Sequence, residues 1–284
     1  MIYTIEIRDN ALLFTSSKKK SGLIDVYDCF EIPLTGNEGI DGRVLKEALT
    51  ERKINQAKVH LIINDRTALT RVLVVPSVDR KRMALIVKNE LISSLNLKQD
   101  CVVDYLNIES FENTEGHFER VLAVGLKRSV IEQWESFLNS INIKITSVQT
   151  FTSSIIRVFN YLDLIPKTCP SLIVDICKNY TRFFLYIDGK YSVLRTVNTN
   201  EDNNQEANRR NINLIRLFTN SLAKQQYPEL KSITIFGEDE YVMALYESVK
   251  GNLNHEIQLV NHEGFSFPEL KNSGNYLNTM GALL

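Results

Sequence analysis

Residues 172–196, which read LIVDICKNYTRFFLYIDGKYSVLRT, decide the fold of this chain. Leu172–Asp175 predicts a buried strand that ends on a carboxylate, and the apolar run Phe183–Ile187 predicts a second strand. Asp188-Gly189 is a dipeptide typical of tight turns, and Tyr191–Thr196 predicts the third strand. The segment therefore predicts three consecutive strands, with a short polar turn after the carboxylate of the first.

Composition and charge are those of an ordinary globular protein. The 284 residues suffice for one large domain or two of usual size, and 44% of them are hydrophobic. The net charge of −1 provides no overall field that would favour nucleic acid or an anionic membrane. No apolar stretch approaches the roughly 18 residues that span a bilayer, and Met1–Ile7 alternates as a strand and not as a signal peptide. We therefore expect a cytoplasmic protein with no nucleic-acid partner and no direct membrane insertion.

The cysteines and histidines give no indication of a metal site. The four cysteines are scattered without paired spacing, which argues against zinc and against a disulfide framework. The four histidines are far apart, and none stands at metal-ligand spacing from Cys, Asp or Glu. The sequence also lacks a Walker loop, a Gly-x-Ser-x-Gly and a Gly-x-Gly-x-x-Gly, so acyl transfer and dinucleotide chemistry have no support.

The order of the predicted strands and helices indicates two related α/β lobes, which we place at 1–165 and 166–284. Residues 1–75 predict strand, strand, helix, strand and strand. Residues 76–142 predict a helix, two strands around a polar loop and a second helix, which is compact enough for an inserted subdomain. In the second lobe the polar run Asn198–Asn211 predicts a loop, because it has almost no apolar content.

A collinear series of short motifs resembles one known family over nearly the whole chain. The motifs are, in order, Val72–Val75, the helix bearing Glu90, Val102–Tyr105, Val121–Val124, Val130–Ile143, Ile173–Ile176 with Thr181 and Asp188-Gly189, Ile215–Pro228, Ile233–Gly237 and Asn278–Leu284. Together they resemble the PilM proteins of type IV pilus assembly, members of the actin-like ATPase superfamily related to FtsA and to the cytoplasmic domain of GspL. The resemblance implies an α/β, actin-like (ribonuclease-H-like) fold of two lobes. The first lobe would carry an inserted α+β subdomain, and the second would have a reduced or missing one.

The nucleotide motifs of that superfamily are degenerate in this chain. The first phosphate loop, Asp-x-Gly in the family, reads Glu6-Ile7-Arg8, and in the second loop Cys177 stands where glycine would follow Asp175. The adenosine loop, Gly237–Asp239, carries two carboxylates, and only Asn198–Asn211 fills the place of a subdomain that walls the adenine pocket in the family. The resemblance with these departures implies a pseudo-ATPase with no catalytic residue and no cofactor. If a nucleotide site is retained, the resemblance assigns it to Glu6, Asp175, Asn179, Thr181 and Gly237.

The same resemblance implies a protein partner. In the family, the cytoplasmic N-terminal tail of a single-pass membrane protein, PilN, lies as an extended peptide in a groove of the first lobe. Here that groove would lie between residues 43–75 and the subdomain 76–142, with Glu90, Leu91 and Tyr105 as candidate contacts. The chain would then be a scaffold at the inner face of the cytoplasmic membrane, held there by its partner, with other pilus platform proteins as further partners.

Two alternatives remain open from the sequence. A diverged ATPase would hold Mg-ATP with Asp175, with Glu6 beside the magnesium-bound water and Thr181 near phosphate. A filament-forming protein similar to FtsA would instead polymerise, although the missing subdomain disfavours it. At the second loop, Asp175, Asn179 and Thr181 either keep a relic magnesium or phosphate contact or make ordinary turn hydrogen bonds.

Overall fold

The computed structural model describes residues 1–20, 23–54, 56–64, 67–95, 100–198, 204–253, 255–260, 265–266 and 273–284. The strands are β1 (Ile2–Ile7), β2 (Ala11–Lys20), β3 (Leu23–Pro33), β4 (Ala57–Ile63), β5 (Ala68–Pro76), β6 (Cys101–Asn113), β7 (Gly116–Lys127), β8 (Ile143–Thr150), β9 (Ser171–Cys177), β10 (Tyr180–Ile187), β11 (Lys190–Asn198), β12 (Ser232–Gly237), β13 (Glu256–Leu259) and β14 (Phe265–Ser266). The helices are α1 (Glu38–Glu51), α2 (Arg80–Ser94), α3 (Arg128–Ser140), α4 (Phe151–Tyr161), α5 (Asn204–Lys224), α6 (Asp239–Asn252) and α7 (Leu277–Met280). Within these ranges, no helix combines the length and the apolar composition that crossing a membrane requires.

The described residues divide into two compact units, one of Met1–Val158 together with Asn278–Leu284 and the other of Phe159–Leu277. The lobes predicted from the sequence, 1–165 and 166–284, differ from these units at two places. The boundary falls inside α4, and the closing segment belongs to the first unit and not to the second.

The closing segment joins the first unit through close backbone packing. Gly281 lies so near Ser154 that a Cβ at this position would overlap the Ser154 carbonyl oxygen. The hydroxyl of Ser154 donates a hydrogen bond of 2.8 Å to the Asn278 carbonyl. A sequence pattern cannot reveal this return, because it depends on contacts between residues more than a hundred positions apart.

In the first unit, one sheet has the strand order β3-β2-β1-β4-β8. β1, β2 and β3 pair antiparallel, whereas β4 lies parallel to β1 and β8 lies parallel to β4. One face of this sheet packs against α1 and α3 through alternating apolar residues such as Ile5 and Leu61, with Leu45 and Leu138 on the helices. Among the described strands, β8 forms an edge of this sheet.

The subdomain of the first unit is an antiparallel sheet of order β5-β7-β6, covered on one face by α2. Met83, Val87 and Leu91 of α2 pack against β5 and β7, and Asp79 caps the N-terminus of α2, where its carboxylate accepts from two backbone N–H groups. The predicted polar loop between the last two strands is shorter than expected. Asn113 pairs directly with Gly116, so β6 and β7 form a long hairpin with a tight turn.

The second face of the subdomain sheet is also apolar, although α2 does not cover it. Leu106 pairs with Leu122, which pairs in turn with Val72. Because residues that pair across strands share a face, Val124 and Val102 lie on this side as well. Leu106, Val72 and Val124 are half-buried, and Val102 is exposed.

The second unit contains a sheet of strand order β11-β10-β9-β12-β13. The three strands predicted for residues 172–196 are confirmed as β9, β10 and β11. Asp188 and Gly189 both have positive φ, 51° and 74°, as a two-residue turn with right-handed strand twist requires. One face of the sheet packs against α5 and α6 through Leu172, Val174 and their neighbours.

The loop predicted for Asn198–Asn211 is wrong over most of its length. β11 runs to Asn198, α5 begins at Asn204, and residues 199–203 lie outside the described part. Asn208 and Asn211 are buried at helical spacing before Ile212, on the face of α5 that continues into the core. Burial of this face therefore outweighs the low helix propensity of asparagine.

Candidate functional site

The first candidate loop follows β1, and the carboxylate of Glu6 is paired there with Arg8. Glu6 is 1% exposed, and its Oε1 accepts from Arg8 Nε at 3.1 Å. The backbone N–H of Arg8 donates to the Ala11 carbonyl, which closes the turn between β1 and β2. An arginine side chain thus stands where a glycine would let a phosphate approach the backbone.

The second candidate loop, after β9, contains a buried ion pair. Asp175 pairs in register with Arg182 on β10, and Oδ2 of the aspartate lies 3.1 Å from Nη1 of the arginine. Both side chains are almost wholly buried, at 4% and 3% exposure. The Arg182 guanidinium also stacks 4.1 Å from the centre of the Tyr180 ring, and Cys177 Sγ donates to Asp175 Oδ1 at 3.7 Å. Both oxygens of the carboxylate therefore have partners within the chain.

A second carboxylate faces the same loop. The backbone N–H of Lys178 donates to Glu238 Oε2 at 3.2 Å, and the N–H of Glu238 donates to the Ile176 carbonyl at 2.9 Å. Gly237 is required at this approach, because its φ is +130° and a Cβ would overlap the Ile176 carbonyl oxygen. A loop amide that could bind an anion thus already donates to a side chain, whose negative charge would repel phosphate.

The structure places Gly237 beside the Asp175 loop but does not bring Thr181 together with Asp175. Asp175 and Thr181 lie on opposite faces of the sheet, since Asp175 pairs with Arg182 whereas Thr181 pairs with Ile176. Thr181 is fully buried on the side of α5 and α6, and Asn179 is half-buried in the turn. The joint ligand set of Asp175 and Thr181 suggested by the sequence is therefore wrong in geometry, because one strand alternation separates them.

The three residues predicted for a partner groove are also dispersed. Leu91 is fully buried in the subdomain core under α2, so its side chain does not reach a surface. Glu90 is exposed on α2, away from any groove lining described below. Tyr105 on β6 is half-buried and borders a groove of the first unit.

That groove, which we call the β6 groove, encloses about 160 Å³ on the second face of the subdomain sheet. Its apolar lining comes from β6, β7, α3 and β8: Val102, Leu106, Val124, Leu126, Ile131 and Val148. Its far wall is formed by the end of β8 and the start of α4, and among the described residues none of its lining falls in 43–75. The β6 groove therefore shares the subdomain wall with the groove predicted from the sequence, whereas its opposite wall comes from residues other than 43–75.

Two polar groups of the far wall have no partner among the described residues. Arg157 on α4 lines the β6 groove half-buried, with no ion pair or hydrogen bond. Gln149 at the end of β8 presents a buried Oε1 without a hydrogen-bond donor. The one carboxylate of the lining, Asp104, accepts from the backbone N–H of Tyr105 at 2.9 Å.

Comparison with known proteins places the fold. No family model matches the sequence, and no curated protein matches it. A chain of a PilM–PilN type IV pilus biogenesis complex superimposes with a TM-score of 0.77 at 14% identity, over 99% of this chain and 97% of the other. A protein of actin-like ATPase fold from Bacteroides thetaiotaomicron gives a TM-score of 0.56 at 10% identity, over 99% and 94% of the two chains. The fold is actin-like. The cytoplasmic domain of EpsL, an inner membrane component of the type II secretion system of Vibrio cholerae, shares the actin-like fold, with a TM-score of 0.54 at 11% identity, over 99% and 94% of the chains.

Sequence reasoning missed several residues that pair with the candidate site residues or line the β6 groove. Arg182 was within reach, because a two-residue turn at 178–179 places residue 182 directly opposite Asp175. Glu238 was noted as a charge near the loop, but its hydrogen bond to Lys178 was not predictable from spacing. Arg157 and Gln149 gave no local signal, since their significance lies only in the groove they line.

Proposed function

We propose that this protein is a scaffold of a type IV pilus or related secretion platform, which binds the cytoplasmic tail of a single-pass, PilN-like membrane protein. The observation that carries the proposal is the match over 99% of this chain to a chain of a PilM–PilN type IV pilus biogenesis complex. The likeness to the cytoplasmic domain of a type II secretion component supports the same setting. In this proposal the chain is cytoplasmic and reaches the membrane through its partner.

The β6 groove is the surface on which we place the tail. Its floor is apolar, and it lies beside β6, which forms an edge of the described subdomain sheet. An extended peptide can lie along such an edge, gain main-chain hydrogen bonds and place alternate side chains in the groove. Ordering a short flexible tail is entropically unfavourable, so we expect an affinity in the micromolar range at best.

The proposal also assigns no ATPase activity to the chain. A carboxylate that holds a magnesium-bound water must be free to do so, whereas Glu6 and Asp175 are each paired with an arginine. Glu238 adds a negative charge at the second loop, where it accepts from the Lys178 amide. Two carboxylates thus pair with arginines and a third accepts from a loop amide, where an ATPase would bind a metal ion and phosphate. These contacts support a scaffold over the alternative of a diverged ATPase.

A pull-down tests the scaffold. The tagged chain is expressed in its source organism and recovered from detergent-solubilised membranes, and the eluate is read by mass spectrometry. We expect a single-pass pilus or secretion protein, and we expect Val102→Glu to abolish its recovery by placing a charge at the rim of the β6 groove. Val193→Glu is the matched control, because Val193 is a similarly exposed strand valine in the second unit, 42% against 39%. An eluate of soluble proteins only, or equal recovery by both variants, would contradict the proposal.

A thermal-shift titration tests the nucleotide part. A ligand at about 100 times its dissociation constant stabilises the folded state by about 2.7 kcal/mol. We expect no change in Tm at millimolar Mg-ATP. A reproducible rise would show that ATP binds and would restore the alternative of a diverged ATPase. Sedimentation under the same conditions addresses the filament alternative, which predicts pelleted polymer.

A further inference from the structure

The β6 groove contains an arginine whose charge the described part of the chain leaves uncompensated. Arg157 is half-buried, and no carboxylate of the described residues lies within ion-pair distance of it. In the free protein, water can solvate the exposed part of this guanidinium. A peptide that fills the groove removes that water, and burying an unpaired charge is strongly unfavourable. An occupant of this groove must therefore bring an acceptor to Arg157.

No carboxylate of the described lining forms an ion pair with Arg157. Asp104 is exposed on β6, where its Oδ1 already accepts from the Tyr105 N–H. Thr150 and Ser153, which also line the groove, hydrogen-bond to one another at the start of α4. A carboxylate suits Arg157 best, because the guanidinium donates in a planar fork that matches its two oxygens.

Gln149 sets a second requirement on the same wall. Its Oε1 is buried and has no donor among the described residues, and a buried amide oxygen without a hydrogen bond is destabilising. An extended peptide carries a backbone N–H at every residue other than proline and can supply the missing donor. Arg157 and Gln149 thus call for one anionic acceptor and one N–H donor, in a groove whose lining also contains Asp104, Thr150 and Ser153 among apolar residues.

From this complementarity we propose that the segment bound in the β6 groove is an extended apolar peptide that contains an acidic residue. Its carboxylate pairs with Arg157, and a backbone N–H of the same segment donates to Gln149 Oε1. The inference rests on the proposed function, because it names the chemistry of the tail which that function places here. The groove then prefers those apolar tails that carry an Asp or Glu, and Arg157 determines this specificity.

Calorimetric titration of the full chain tests the pairing. The probe is a synthetic peptide that spans the cytoplasmic tail of the membrane protein identified by the pull-down, with each Asp or Glu replaced in turn by Asn or Gln. We expect Arg157→Gln to weaken binding of the unaltered peptide about tenfold, as loss of a charge-assisted hydrogen bond does. Neutralising one particular acid of the peptide should weaken binding to the wild-type chain equally and have no further effect on Arg157→Gln.

The control variant is Lys144→Gln, which removes the same charge from an exposed position on β8 outside the groove. It should change the affinity by less than about twofold, since an exposed, solvated charge contributes little. Circular dichroism confirms that each variant is folded, and Arg157→Lys, which keeps the charge, should bind more tightly than Arg157→Gln. A peptide that binds wild-type and Arg157→Gln chains equally, or that couples no acid to Arg157, overturns this inference alone. A tail that does not bind the wild-type chain overturns the proposed function itself.

Discussion

The loop after β9 and the β6 groove differ in whether their arginine side chains are paired with a carboxylate. In the loop, Asp175 is paired with Arg182 and both are almost wholly buried, so the charges compensate each other within the chain. In the groove, Arg157 is half-buried and has no partner among the described residues. Of the two arginines, Arg157 is the one that lines a groove. Under the proposed function, the loop binds no nucleotide and the groove binds the partner.

Breaking the pair in the loop should have the largest effect. Arg182→Gln leaves the Asp175 carboxylate buried without its counter-charge, and removing one partner of a buried pair costs about 3–5 kcal/mol in stability. Urea denaturation of the purified chain measures this loss. The double variant Asp175→Asn, Arg182→Gln should recover much of it, because no charge is then left unpaired. A loss below about 1 kcal/mol, the range of an exposed pair such as Arg128–Asp100, would show that the pair is not isolated from solvent.

A substitution at Gly237, which precedes Glu238 beside the loop, should have the next largest effect on stability. Gly237→Ala requires a side chain at φ +130° and overlap with the Ile176 carbonyl oxygen, so we expect a loss of about 2 kcal/mol or more. Gly251→Ala is the matched control within α6, where nothing lies near the added Cβ. It should stabilise the chain by up to about 1 kcal/mol, since alanine is the better helix former. Equal effects of the two substitutions in urea denaturation would mean that the loop backbone adapts freely.

The groove arginine should contribute almost nothing to the stability of the free chain. Arg157→Gln removes no internal ion pair or hydrogen bond of the described residues, so the free energy of unfolding should change by less than about 0.5 kcal/mol. The same denaturation curves that test Arg182 measure it. A loss comparable to that of Arg182→Gln would remove the contrast between the two regions, because Arg157 would then have a structural role.

The smallest effect is expected when a thiol reagent is added to the native chain, because its cysteines are buried. All four are buried, and burial raises the pKa of Cys29 to about 12. Only the thiolate is nucleophilic, and the raised pKa keeps the Cys29 thiol protonated at about pH 8. Burial of the other three limits access of a thiol reagent, so the native chain should react slowly. Unfolded chain should react at once. Rapid labelling of native Cys177 would show that the loop opens readily, despite the ion pair beside it.

Much of the fold follows from local pattern, whereas the site does not. Residues 172–196 could be predicted because strand alternation and the Asp188-Gly189 turn are both local. The departures from the nucleotide motifs could also be read from the sequence, and they identified Glu6 and Asp175 as candidate residues. Their arginine partners were not predicted, although register through a tight turn places Arg182 opposite Asp175.

Two failures have a tertiary cause. The helix that begins at Asn204 buries two asparagines against their propensity, because the apolar residues Ile212 and Ile215 on the same face pack into the core. Leu91 has the apolar character of a contact residue but lies in the subdomain core, and the far wall of the β6 groove comes from residues distant in sequence from β6. A sequence identifies which residues can recognise a ligand, but only the fold decides which of them reach a common surface.

The return of residues 278–284 to the first unit has a consequence for synthesis. The ribosome completes Met1–Val158 long before it makes the segment whose Asn278 carbonyl accepts from Ser154 and whose Gly281 fills the space beside it. Until then the first unit lacks part of its own packing, although all of the second unit has already been synthesised. Folding of the first unit must therefore finish after translation of the second, and a nascent chain exposes surface that the finished protein never shows.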